Sequence, residues 1–324
     1  MRFIYTKDMS NSGGKILYSV IKLLSCSVIG CLLTVSAMAQ HSPQYSQYMF
    51  NGLALNPAYA GSKEVLNIAA IYRSSQWGSS FEGAPVTQTF AGDFPLQNPN
   101  LALGLMIFND RINIIKQSGA YFAYCYRIST GEGKLSFGMQ AGFDLMREDQ
   151  TNIITLQPDD PMFNFESNNS FMPNVGVGTY YYTSNVFAGL SLPQFLTYSP
   201  QSAGSYKAKP TLTNTMLYGG TIIPVSRDFK LKPSTLMRFT GKGILIDFNC
   251  NVIMFKDLLE LGVSWRTGTT FVALAQFRIN SLYIGYAHDY AIGKPSAINA
   301  SHEIMLRYDF KIRVKAASPL FFLN

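Results

Sequence analysis

Past residue 39 the chain carries three histidines, His41, His288 and His302, and two cysteines, Cys125 and Cys250. Metal sites draw such ligands from short, regular spacings like C-x-x-C. None of these five residues lies at such a spacing, so neither a metal nor any other cofactor is expected. Nucleophilic catalysis needs a nucleophile beside a base. His288 and Asp289 are neighbours in sequence, and on a strand they would face opposite ways. With no Gly-x-Ser-x-Gly elbow either, the chain is not expected to be an enzyme. A lipid hydrolase would need a serine within hydrogen-bond reach of His288 or His302. Gly176-Val177-Gly178 does not complete a nucleotide-binding G-x-G-x-x-G, and no helix follows; glycines there let bulky neighbours pack in a strand. Carboxylates gather once, in the 148–171 segment: Glu148, Asp149, Asp159, Asp160 and Glu166, with Phe163 and Phe165 among them. Their spacing is not that of a calcium loop. The segment is either a solvated loop or a docking surface with Asp159, Asp160 and Phe163 as its contact residues.

The elements that would position these residues are strands. Leu135, Phe137, Met139, Ala141, Phe143 and Leu145 are apolar, and Ser136, Gly138, Gln140, Gly142 and Asp144 lie between them. Near the C-terminus Ile304, Leu306, Tyr308 and Phe310 alternate with Glu303, Met305, Arg307 and Asp309. Successive side chains of a strand point to opposite faces, so one face is apolar and the other is rich in glycine, amide and charge. That is the lipid-out, polar-in pattern of a membrane barrel. Soluble sheets alternate too, but these runs are about 9 to 12 residues, the length a tilted membrane strand needs. Aromatics crowd the strand ends at Tyr180-Tyr181-Tyr182 and from Tyr286 to Tyr290, where interface girdles belong.

The expected fold is therefore all-β, a transmembrane antiparallel β-barrel of about fourteen strands. The segments lie near 65–73, 86–94, 101–110, 117–128, 134–147, 172–183, 186–193, 212–223, 230–239, 243–254, 257–267, 270–279, 281–290 and 301–311. Long connections (74–85, 148–171, 194–211, 291–300) alternate with short ones such as 129–133, 184–185 and Asn280. Bacterial barrels keep their long loops outside and their short turns and termini in the periplasm. The alternation points Cys125 inward and Cys250 outward, which argues against a disulfide. It also turns Arg127, Asp144, Asp247, Glu260, Arg266, Arg278, Glu303, Arg307 and Asp309 into the lumen, either as salt bridges that fill it or as the lining of a pore.

Composition agrees. Charged residues are 14% of the chain, against about 25% in soluble domains, and no apolar run after residue 40 nears the roughly 18 residues of a membrane helix. Residues 1–39 form an export signal: Lys15 and Lys22, an apolar core from Leu23 to Val35, and Ala37-Met38-Ala39 before the cut. An uncleaved anchor, or lipoprotein-type cleavage before Cys31, is the alternative. Without the leader's four basic residues and one acid, the 26 basic and 19 acidic residues fall to 22 and 18. The resulting net charge is small and no long basic run remains, so nucleic acid is not an expected partner. The chain is then expected to divide into the leader 1–39, a polar and aromatic periplasmic lead-in 40–63, the outer-membrane barrel 64–312 and a short tail 313–324.

Gln44-Tyr45-Ser46-Gln47-Tyr48-Met49-Phe50-Asn51 and Asn56-Pro57-Ala58-Tyr59-Ala60-Gly61 resemble the opening of the PorP/SprF family. Tyr72-Arg73-Ser74-Ser75-Gln76-Trp77, Gly83-Ala84-Pro85-Val86-Thr87, Asp160-Pro161-Met162-Phe163 and Ser301-His302-Glu303-Ile304-Met305-Leu306-Arg307-Tyr308 resemble it in the same order. The tail beyond Lys311 departs from a chain that ends on its last strand. The resemblance implies an integral outer-membrane component of type IX secretion and gliding in the Bacteroidetes, set in outer-membrane lipid. It further implies partners among the periplasmic ring proteins and large secreted adhesins. Tyr48, Phe50, Asn51, Asn56, Pro57 and Tyr59 are then the candidate contacts to the periplasmic partners, unless the lead-in plugs or seals the barrel mouth. The alternative function is an outer-membrane diffusion channel or transporter for small or apolar molecules.

Overall fold

The computed structural model describes residues 44–75, 83–148, 168–200, 206–241, 243–268, 270–292 and 300–310. The leader, the tail and Asp159, Asp160 and Phe163 of the acidic segment lie outside the described residues. Three single-turn 3-10 helices come first: η1 (Tyr48–Phe50), η2 (Gly52–Ala54) and η3 (Pro57–Tyr59). The strands are β1 (Leu66–Ser74), β2 (Val86–Pro95), β3 (Leu101–Ile112), β4 (Ile115–Thr130), β5 (Gly133–Glu148), β6 (Asn168–Tyr182), β7 (Val186–Leu192), β8 (Leu196–Pro200) and β9 (Tyr206–Pro210). They continue as β10 (Met216–Thr221), β11 (Ile223–Pro224), β12 (Phe229–Thr240), β13 (Gly243–Met254), β14 (Leu259–Arg266), β15 (Thr270–Ile279), β16 (Leu282–Ala291) and β17 (Ala300–Phe310).

All pairings are antiparallel, and the sheet closes on itself. β1 pairs with β17 from Leu66 opposite Phe310 to Ser74 opposite His302. On the far side Met216 of β10 stands opposite both Ser191 of β7 and Arg238 of β12. β11 continues β10 along the same neighbour, so 14 strands form the wall among the described residues. Closure leaves no sheet edge, the condition for crossing lipid with strands. No described helix is long and apolar enough to cross a membrane.

The wall strands lie within a few residues of the expected segments, and their faces follow the alternation. In β4, Tyr121, Ala123, Cys125 and Arg127 are buried, while Phe122, Tyr124, Tyr126 and Ile128 are exposed on the membrane face. Cys125 is buried, Cys250 is exposed, and both are free thiols. Arg278 shares the inner-face parity of Val272, Leu274 and Gln276 and stacks over the Tyr283 ring, as the inward Arg307 does, but it stands at the open mouth. It is exposed at the periplasmic end of β15, where its Nε donates to the Asn280 carbonyl at 3.1 Å.

Two differences lie on one side of the barrel. The strand expected over 212–223 starts at Met216 and breaks at Ile222, whose N–H leaves the ladder for the Asn185 carbonyl at 2.6 Å. The connection expected over 194–211 contains the separate β8–β9 hairpin, paired from Leu196↔Pro210 to Pro200↔Tyr206. Strand length varies around the ring accordingly. β4 and β5 have 16 residues each, whereas β7 has 7 and β10 has 6. At roughly 3.3 Å per residue the wall is tall on one side and low on the other. The hairpin leaves the low side and leans on the inner face of the tall one. Tyr206 Oη donates to Glu148 at 2.6 Å, Gln140 Nε2 to the Pro193 carbonyl at 2.8 Å, and Gln194 Nε2 to Tyr121 Oη at 3.1 Å.

Candidate functional site

The residues just before β1 fill the lumen. Their local shape follows from a few positions. Asn56 caps η3 by accepting from the Ala58 N–H at 2.8 Å, with Pro57 at the first helical position, where its missing N–H costs nothing. Gly61 takes a φ of +68°, a region open to glycine, and turns the chain toward β1. The three short turns make a compact rod whose side chains reach the wall on every side.

At the outer end of the lumen the rod is held by charge. The carboxylate of Glu303 accepts the backbone N–H groups of Ser46 at 2.8 Å and Gln47 at 2.9 Å, and the Gln47 side chain donates to the Glu303 carbonyl at 3.0 Å. Ser46 Oγ donates to Asp289 at 2.6 Å. Arg73 neutralises both acids, at 2.8 Å from Asp289 and 3.3 Å from Glu303. Tyr45 Oη lies 2.8 Å from Thr89 Oγ1. A buried carboxylate is costly unless paired and bonded, and here the rod's own backbone supplies part of the bonding.

Midway down, contact is mainly apolar. Tyr48, Phe50, Leu55 and Ala58 are buried with the wall residues Ile71, Tyr180, Tyr218, Leu236 and Met305. Leu53 and Ala60 are buried with Ala91, Ala102, Ala123 and Cys125. The rod's carbonyls are satisfied by the wall: Ser191 Oγ donates to Leu55 O at 2.6 Å, Cys125 Sγ to Ala58 O at 3.3 Å, and Arg307 Nη1 to Phe50 O at 3.3 Å. Asn56 Nδ2 donates outward to Thr179 O at 2.8 Å. At the periplasmic end Gly61 donates to Asp93 at 2.6 Å, and Arg127 donates to the Gly61 carbonyl. Beside the rod, Asp247 bridges Arg238 at 2.7 Å and Arg266 at 3.0 Å.

The wall is built small where the rod presses on it. A Cβ at Gly138 would collide with the Pro57–Ala58 peptide, one at Gly178 with the Asn56 side chain, and one at Gly285 with Gln47. Gly178 thus makes room for the lead-in, a role that its strand neighbours alone do not disclose. A cavity of about 40 Å³, lined by Tyr45, Leu55, Met106, Tyr121, Gln194 and Arg238 among others, remains between rod, wall and hairpin. It is on the scale of a water molecule or two.

Of the nine residues singled out in the sequence, Tyr48, Phe50, Asn51, Asn56 and Pro57 are buried in this lumen and Tyr59 is half-buried there. The structure brings these six together. Asp159, Asp160 and Phe163 lie outside the described residues. Sequence reasoning turned Glu303 inward but missed Arg73 and Asp289, which the same alternation on β1 and β16 would have found. On the opposite face, His288 and His302 are cross-strand partners on β16 and β17, and Ser74 stands opposite His302. Ser74 is 1% exposed, so its hydroxyl is closed off from a lipid ester.

The family profile for the type IX secretion system membrane protein PorP/SprF matches residues 37–308. The chain belongs to the PorP/SprF family. It is accordingly an outer-membrane component of the type IX secretion system, with partners in that machinery and in the surrounding lipid. No curated protein sequence matches this PorP/SprF chain. Among solved structures it is similar to Omp33 of Acinetobacter baumannii at 7% identity and a TM-score of 0.46, over 76% of this chain and 98% of that one. It is similar to a FadL homologue of Pseudomonas aeruginosa at 10% identity and 0.45, over 83% and 95%. The toluene transporter TodX of P. putida matches at 10% identity and 0.44, over 80% and 93%.

Proposed function

We propose that this PorP/SprF barrel supports the export or surface anchoring of secreted adhesin-like proteins by binding them and the periplasmic ring proteins. The observation that carries the reading is the occupied lumen. A rod anchored by ionic, hydrogen-bonded and apolar contacts along its length suits a scaffold better than a conduit. Asp159, Asp160 and Phe163 of the outer acidic segment are the proposed cargo contacts. Tyr48, Phe50, Asn51, Asn56, Pro57 and Tyr59 are proposed to meet the periplasmic partner in a state in which the lead-in has left the lumen, because their side chains face the wall while it is seated.

The test is purification from the native envelope in gentle detergent, with identification of the proteins that accompany the barrel. Recovery of a large secreted protein or of ring proteins supports the proposal. A barrel recovered alone that conducts ions in planar bilayers with its lead-in intact would sink it in favour of the diffusion channel.

A further inference from the structure

Where the tall side of the wall meets the low one, the membrane face carries a groove of about 600 Å³, within the roughly 300–1,000 Å³ of sites that hold one small ligand. Tyr124 of β4, Met139 of β5, Val177 of β6 and Leu190 of β7 form its base, and all four are exposed outward. Leu212 and Thr215, from the segment between β9 and β10, form its lip. The lip is fixed. The N–H and hydroxyl of Thr215 both donate to the Leu212 carbonyl, at 3.2 and 2.6 Å, and the Asn214 N–H donates to the Phe239 carbonyl at 2.6 Å. Leu212 is held out at 72% exposure. The bordering strand halves, their periplasmic turns at 131–132 and 183–185 and the segment 206–224 are all described.

We propose that this groove is a seat for one acyl chain of a phospholipid from the periplasmic leaflet. Its lining is mainly apolar and carries no charged side chain, so it suits a hydrocarbon. It opens onto the lipid around the barrel, so the occupant comes from there. Depth selects the leaflet. Leu190 is the fifth residue of β7 from its periplasmic end, which sets it about 10 Å up at roughly 3.3 Å per residue and the usual strand tilt. The periplasmic half of a hydrocarbon core is about 15 Å thick, so a chain of that leaflet runs past the groove along its length. Lipid tails are as apolar as leucine, and the hydrophobic effect therefore gives the groove no preference over the bilayer. The preference comes from packing: an unfilled concavity loses dispersion contacts, and water finds few polar partners there.

The groove lies where the wall is thin. Gly138 stands opposite Gly178, and Gly178 opposite Ser191, and these three also line the groove. From the lumen the same three hold the rod: Gly138 backs the Pro57–Ala58 peptide, Gly178 backs Asn56, and Ser191 Oγ donates to the Leu55 carbonyl. Asn56 Nδ2 donates to the carbonyl of Thr179, which lines the groove as well. With no side chain at 138 and 178, one layer of backbone separates the rod from the membrane. The rod packs that layer from inside, and the seated chain packs it from outside.

The experiment uses the full mature barrel in detergent, titrated with a phosphatidylethanolamine brominated in its acyl chains, which quenches tryptophan fluorescence on contact. The groove reporter is Leu212→Trp in a W77F/W265F background. The control is native Trp265 in W77F, exposed on the membrane face of β14. Quenching at position 212 is expected to saturate at one phospholipid per barrel, whereas quenching of Trp265 rises only with the ratio of lipid to detergent. Thr179→Phe fills the groove and is expected to abolish the saturable part, while Trp265 quenching stays unchanged and reports an intact barrel. Quenching at 212 that merely follows the lipid-to-detergent ratio, or that saturates as before in T179F, would overturn the proposal. In native envelopes a photoactivatable cross-linker at Leu190 is expected to give a phospholipid adduct. A protein adduct there overturns the lipid assignment in favour of an apolar segment of a partner.

Discussion

Glu303 is fully buried, accepts two backbone N–H groups of the lead-in and faces the partly buried Arg73. Glu303→Ala strands those N–H groups and leaves Arg73 with Asp289 alone. Breaking a buried charge network by removing one partner costs about 3–5 kcal/mol. Denaturant unfolding of the E303A barrel in detergent is therefore expected to show a loss of this size, with E303Q milder because its amide oxygen still accepts. A loss below about 1 kcal/mol, the scale of an exposed pair, would mean that the network does not hold the rod. Gly138→Val tests the opposite wall. Its side chain would occupy the place of the Pro57–Ala58 peptide, so limited proteolysis is expected to cut the lead-in of G138V and spare that of the wild type. At this scale the sequence told which side chains face inward, because alternation fixes the face. It did not tell which residues meet: Ser46 and Glu303 are 257 positions apart, and no local pattern encodes that contact.

The ladder between β1 and β17 does not involve the rod's backbone, so the wall and its contents are separable elements. Deletion of residues 44–61 is expected to leave a heat-modifiable barrel with native strand content, and to convert a poorly conducting protein into one with steady conductance in planar bilayers. Unchanged conductance would mean that the hairpin and the wall side chains close the lumen unaided. Legibility differed sharply among elements. Long wall strands advertise themselves because each must alternate over the full thickness of the membrane, and their spans were read to within a few residues. The β8–β9 hairpin has five residues per strand, with prolines at 200 and 210, and it contacts the wall rather than lipid, so neither length nor alternation marked it. The lead-in was legible as a distinct aromatic segment with a turn at Pro57 and Gly61, but its 3-10 turns satisfy the wall's polar groups one by one and leave no periodic trace.

An even number of strands returns the start of β1 and the end of β17 to the same side, the periplasmic one by the asymmetry of the connections. The chain ahead of β1 reverses that direction. Gly61 bonds to Asp93 and Arg127 near the periplasmic ends of β2 and β4, while Tyr45, Ser46 and Gln47 bond to Thr89, Asp289 and Glu303 near the outer ends of β2, β16 and β17. Read from β1 backwards, the rod climbs the lumen, and Gln44 is exposed at its outer end. The polar anchors stand at both ends of the rod and the apolar contacts between them, an arrangement that fixes its direction as well as its depth: reversing it would set the Gln47 side chain and the Ser46 N–H against Asp93 and Arg127 and leave Glu303 unbonded. An epitope inserted ahead of Gln44 is accordingly expected to be reached by antibody on intact cells, whereas one in the turn at Gly131 and Glu132 is reached only after the envelope is opened. Labelling of both sites only in opened cells would place the rod's far end in the periplasm and remove the charge network at Glu303 as the thing that seats it.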